Sequence, residues 1–134
     1  MKFQKNTIYL IDANVIVRLL VEDKSSSAFQ KAYQFFELIS KKEIKGVITE
    51  GILMEVYYVL TKVYNFDKLV VIDKLKKILN FSNIINNNKI TLFETLNILE
   101  KHNIDFMDAF LCAKAKNENL EIFSFDKDIE KCMK

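Results

Sequence analysis

The sequence has no proline, no tryptophan, two glycines, two cysteines and a single histidine among 134 residues. The scarcity of cysteine and histidine excludes a zinc centre built within one chain, because Cys112, Cys132 and His102 fall short of the usual four ligands and neither cysteine sits in a CxxC pair. With His102 alone, a Ser-His-Asp or Cys-His triad has little to be built from. His102 follows Lys101 in the last turn of an expected helix, where interaction with the helix dipole accounts for it. Cys112 lies in an apolar helical stretch and is expected to be core packing. No apolar run approaches the ~18 residues of a membrane span. The first seven residues lack the apolar centre of a secretory signal, so an intracellular, cytoplasmic protein is expected. The net charge of +2 is too small to argue for nucleic acid by itself. Arg18 is the only arginine, and the abundance of Lys, Ile and Asn reads as the codon bias of an AT-rich genome. Any catalysis must therefore use carboxylates, lysines, hydroxyls or a metal.

Half the residues are hydrophobic, enough for one core, and the length suits a single domain over 1–134. Thr7 to Ile11 is a β-prone run expected as a buried strand that Asp12 ends. Helical spacing begins at Asn14 and again over Ser25 to Lys42, where Phe29, Ala32, Tyr33, Phe36 and Ile39 share a face. Lys41, Lys42, Lys45 and then Gly46 read as that helix's C-terminal signal. Gly46 to Thr49 predicts a strand, Glu50 to Tyr64 and Asp67 to Asn80 two helices, and the asparagine-rich Asn83 to Lys89 a loop. A fourth strand, besides the three at Thr7 to Ile11, Gly46 to Thr49 and Glu121 to Phe125, has its candidate place near Lys89 to Thr91. Thr91-Leu92-Phe93-Glu94 fits a capping box opening a helix to Lys101. Asp105 to Asn117 is expected as a helix, Glu121 to Phe125 as a strand, and Asp126 to Cys132 as a short helix. Alternating strands and helices imply an α/β fold on a parallel sheet, with sites at the carboxyl ends of strands.

That rule draws attention to Asp12 and Asp126, each directly after an expected strand. Either could simply cap the following helix. Asn14 adds an amide two residues from Asp12. Glu55 has Ile52 and Val59 one turn away, although a solvated flank fits it too. Asp105 and Asp108 are the only charges in Asp105-Phe106-Met107-Asp108-Ala109-Phe110-Leu111-Cys112-Ala113, and they share a face. Capping explains Asp105 well and Asp108 less well, and Asp128 is an ordinary first-turn acid. The combination is what carries chemistry. Like charges ~4 Å apart repel by roughly 4 kcal/mol at an effective dielectric near 20, so converging acids call for a cation. Hard oxygen ligands favour Mg²⁺ or Mn²⁺. Such a centre can bind phosphate oxygens, activate water and stabilise a leaving oxygen without histidine or cysteine.

Ile11-Asp12-Ala13-Asn14, Glu55 within Leu53-Met54-Glu55-Val56-Tyr57-Tyr58-Val59-Leu60, Asp105-Phe106-Met107-Asp108-Ala109 and Phe123-Ser124-Phe125-Asp126-Lys127-Asp128 occur in an order that spans nearly the whole chain. In these pieces the sequence resembles the PIN-domain family, particularly the ribonuclease toxins of the bacterial and archaeal VapBC type. The resemblance implies a three-layer α/β/α sandwich with a twisted parallel sheet of four to five strands. It implies that Asp12, Glu55, Asp108 and Asp126 are catalytic metal-site acids for Mg²⁺ or Mn²⁺, with Asp108 rather than Asp105 as the third acid. Asn14, Ser124 and Asp105 are supporting positions, and Asp128 matches a more variable acid. Ala13 departs from the small hydroxyl residue common there, which costs a hydrogen bond and no ligand. The implied activity is endonucleolytic cleavage of RNA, often by a homodimer, held inactive in toxins by a VapB-type antitoxin that also binds DNA.

A haloacid-dehalogenase type of phosphotransferase also starts with a strand and Asp, but it needs D-x-D where this chain has Asn14. A receiver domain needs an aspartate after a central strand, and none follows Val47-Ile48-Thr49. A PIN fold serving as a non-catalytic binding module, and a housekeeping RNA-processing nuclease, are the other readings. The presence of all four main acids argues against the first of these.

Overall fold

The computed structural model describes residues 2–133, which form two compact units, one up to Asn87 and one from Asn88 onward. In the first unit, β1 (Ile8–Leu10) leads into α1 (Ala13–Val21) and α2 (Ser27–Ser40), and β2 (Lys45–Val47) into α3 (Glu50–Tyr58) and α4 (Lys68–Leu79), with β3 (Ile84–Ile85) last. The strands form a parallel sheet in the order β1-β2-β3, with Tyr9 opposite Gly46 and Val47 opposite Ile85. The parallel α/β architecture expected from the strand–helix alternation is therefore present.

Ile16, Leu20, Ile39, Ile48, Leu53, Leu60, Ile72 and Leu79 are among the buried apolar residues of this unit. Those on helices fall on the one apolar face that each helix turns inward, and Ile48 follows β2 directly. α1 packs on both α2 and α3. Ser26 caps α2 by accepting from the Ala28 and Phe29 amides, and Thr49 caps α3 by accepting from Ile52. α2 ends at Ser40 with Lys41 as its C-cap, ahead of Gly46: Lys42 takes φ 62° and the Glu43 amide donates to the Leu38 carbonyl, a Schellman turn built on a lysine. Gly46 has a different task. A Cβ there would lie 2.6 Å from Ile11 Cδ1 and 3.3 Å from Ile39 Cδ1, so a side chain at this position would have to displace the buried Ile11 side chain.

Several sequence expectations are corrected. The third helix is α-helical only to Tyr58 and continues as a π-helical turn over Val59–Val63. There β-branched Val59, Thr61 and Val63 crowd the turn, and the Thr61 hydroxyl donates to the Tyr57 carbonyl. The asparagine-rich stretch is not all loop. It contains β3, and the Asn83 and Asn86 amides donate to the Ile44 and Ile48 carbonyls, tying it to the segment of β2. β1 is not a buried strand: it lies at the sheet edge, leaving Ile8 60% and Leu10 75% exposed.

In the second unit, α5 (Lys89–Lys101) packs on α6 (Phe106–Glu118), which packs on α7 (Asp128–Met133). Lys89 to Thr91 opens α5 and forms no strand, and Thr91 lies inside that helix instead of capping it. Its hydroxyl accepts from the Asn117 amide of α6. Glu121 to Phe125 has no ladder partner among the described residues, so the sheet has three strands, not four to five. Phe123 and Phe125 are 89% and 95% exposed and stack edge-to-face on each other. Cys112 is buried, as expected of a core residue, but it is also joined to Cys132 in a disulfide linking α6 to α7. No helix among the described residues is long and apolar enough to cross a membrane.

Candidate metal centre

The acids predicted from sequence divide between the two units. In the first, Asp12 follows β1 and occupies the N-cap of α1, accepting from the Ala13 amide at 2.8 Å. Capping and placement at a strand's carboxyl end are thus properties of one residue. Asp12 and Asn14 are exposed and border a mostly apolar cavity of about 360 Å³, with Tyr9, Phe35 and the cations Arg18 and Lys31 also in its lining. Glu55 is exposed on α3, flanked in sequence by half-buried Met54 and buried Val56.

In the second unit, Asp108, Asp126 and Asp128 converge, each offering a carboxylate oxygen within 4.8 Å of the others. Local structure explains how. Asp108 sits in the first turn of α6, where a negative charge faces the positive end of the helix. Asp105 is the N-cap of that helix by position, but its side chain makes no capping hydrogen bond. The Asp126 amide donates to the Ser124 hydroxyl at 3.0 Å, and Asp126 Oδ1 accepts from the Asp128 amide at 2.9 Å. A tight turn therefore aims both acids of α7's start back at α6. Lys131 pairs with Asp128 at 2.9 Å and offsets part of the negative charge.

Asp108 is the least comfortable member. Burial raises its carboxyl above the usual carboxylate range, and Asp126, through charge and hydrogen bonding, and then the charges of Asp105 and Asp128 push the same way. Asp108 Oδ2 is buried with no hydrogen-bond partner. An unpaired acceptor of this kind is costly in a folded protein unless something positive meets it. The all-oxygen donor set fits a hard divalent cation, so the residues present suit Mg²⁺ or Mn²⁺ better than zinc or copper.

Of the predicted residues, Asp108, Asp126 and Asp128 are brought together, with Ser124 holding the turn. Asp12 and Asn14 share the border of one cavity, and Glu55 lies on the helix that α1 packs against. The sequence reading missed Lys131 and the Cys112–Cys132 bridge. Lys131, three residues after Asp128 in an expected helix, was visible as an ion-pair candidate. The bridge had only the weaker signal of two cysteines in neighbouring expected helices.

Among curated proteins none matches the chain. The family model of the PIN domain matches residues 9–133, which include all of these acids. The chain belongs to the PIN-domain family.

Proposed function

We propose that this protein is an endoribonuclease that hydrolyses RNA phosphodiester bonds with Mg²⁺ or Mn²⁺. PIN domains are generally nucleases and typically depend on a divalent metal. The observation that carries the reading is Asp108, whose Oδ2 is buried without a partner and whose carboxylate converges with those of Asp126 and Asp128, in a chain whose two cysteines are joined to each other. By the family resemblance, Asp12, Glu55, Asp108 and Asp126 would be the acids that hold the cation; within the second unit, Asp128 lies with Asp108 and Asp126. When bound, the cation supplies charge neutralisation at the phosphate and acidity to a water molecule. Arg18 and Lys31, at the cavity that Asp12 borders, give an RNA strand two cations to meet.

By the resemblance to VapBC toxins, the protein is the toxin of a type II pair, a homodimer silenced by a VapB-type antitoxin. Growth arrest on expression, relieved by co-expression of a small neighbouring gene, tests that role. The chemistry is tested by RNA cleavage with and without Mg²⁺ in wild type, Asp12→Asn and Asp108→Asn. Both variants should fold and fail to cut. Cleavage at wild-type rate by either one, or in excess chelator, refutes the assignment.

A further inference from the structure

We propose that the Cys112–Cys132 disulfide is a redox-controlled positioning device for the acidic cluster, holding Asp126 and Asp128 against Asp108 when oxidised and releasing them when reduced. The inference rests on the metal reading above. On α6, Cys112 follows Asp108 by four residues, and on α7, Cys132 follows Asp128 by four, so the bridge joins the two helix faces that carry the acids. Cys132 Sγ lies 3.8 Å from the Asp108 carbonyl oxygen.

The rest of α7's attachment is slight. Its six residues are too few to be helical alone, and the other buried residue it offers is Ile129. The preceding segment, with Phe123 and Phe125 exposed, forms no regular element that could fix it. Against that, three carboxylates repel each other across the α6–α7 contact. The bridge spans 20 residues, and closing a loop of that length shifts a local equilibrium by on the order of a hundredfold. It is therefore the tether able to hold a preformed acid cluster together before a cation arrives.

The chemistry balances as thiol–disulfide exchange with a small-molecule disulfide. One cysteine thiolate attacks the disulfide, forming a mixed disulfide and expelling one thiolate. The second cysteine then closes the Sγ–Sγ bond and expels the other. The two protein thiol protons end on the two released thiols, and the small disulfide is the species reduced. Excess thiol reverses the exchange. Both sulfurs are buried, so reduction proceeds through fraying of the terminal helix.

The test uses the full chain, oxidised or reduced with a non-chelating phosphine that is then removed without air, the bridge being checked by mass. Mn²⁺ binding is followed by the resonance of the free ion, and amide exchange is followed in α7 and β2. Reduction should weaken Mn²⁺ binding about tenfold, part of the tether's effect being retained by Ile129. It should speed exchange in α7 and leave β2 unchanged, and a small-molecule disulfide should restore both. Cys132→Ser should stay at the reduced value under either condition, and RNA cleavage lost on reduction should return at saturating Mn²⁺. Equal affinity in both states overturns the proposal, as does faster exchange in β2 along with α7, which would make the bridge a general structural staple. Mn²⁺ binding in neither state overturns the metal reading and this proposal with it.

Discussion

Asp108→Asn separates the cost of the acidic cluster from its use. Two carboxylate charges at 4.8 Å, the outer limit of the cluster's oxygen separations, repel by about 3.5 kcal/mol at an effective dielectric near 20 and by about 1 kcal/mol in water. Asp126 is exposed, so solvent screening pulls the value toward the lower figure, and Lys131 already offsets Asp128. Removing the Asp108 charge should therefore stabilise the metal-free protein by about 1 kcal/mol. For a chain of this size that is a rise in melting temperature of roughly 3–5 °C.

The same substitution should erase the response to metal. A cation that binds only the folded state adds about 2.7 kcal/mol at a hundred times its dissociation constant. Thermal unfolding with chelator and with saturating Mn²⁺ gives four melting temperatures. Wild type should lie below Asp108→Asn in chelator and above it in Mn²⁺. If Asp108→Asn is less stable without metal and gains as much as wild type with it, the carboxylate neither strains the fold nor binds the ion, and the reasoning fails.

Asp108 also sets a pH dependence. Its proton is held more tightly in the folded state, so this stability is fully present below the ordinary carboxylate range and is lost as pH rises through the raised value. Metal-free melting temperature should fall over that window in wild type, and the fall should be smaller in Asp108→Asn; equal slopes would exclude Asp108 as the source. Gly46→Ala should cost about 1–3 kcal/mol in urea unfolding, since its Cβ meets Ile11 at 2.6 Å next to Asp12. A neutral result would mean that Ile11 rearranges freely. Ser124→Ala removes the acceptor of the Asp126 amide and should weaken Mn²⁺ binding by roughly fivefold with little change in melting temperature; unchanged binding by calorimetry would show that the turn is set elsewhere.

The helices were legible because their burial is local and periodic: α2, α4 and α6 begin and end within about two residues of the spans read from apolar spacing. Asp108 was legible for the same reason, as an acid with apolar neighbours on a helix. What escaped depends on partners distant in sequence. β3 is two residues long, and the asparagines that tie it in look like loop residues until β2 is beside them. Residues 121–125 carry a strand's composition, but a strand also needs a neighbour's backbone, which composition does not supply. Thr91-Leu92-Phe93-Glu94 has the capping pattern, yet the helix starts at Lys89 and the Thr91 hydroxyl serves Asn117. For the site, residue types pointed to a cation, while the turn that joins Asp126 to Asp128, and the bridge behind it, required coordinates.

Asp12 shows why the choice of substitution matters to the nuclease test. Its side chain caps α1, and replacing a cap with alanine costs about 1 kcal/mol whatever the residue's chemical role. A loss of cleavage in Asp12→Ala would therefore mix a frayed α1, and a disturbed contact with the helix that carries Glu55, with the loss of a ligand. Asparagine caps about as well as aspartate and keeps an oxygen for the Ala13 amide, so Asp12→Asn removes the charge and little else. If the charge serves only the cap, the asparagine variant should cut RNA as wild type does. If it helps hold a cation, cleavage should disappear while the melting temperature in chelator stays within about 0.5 kcal/mol equivalent of wild type.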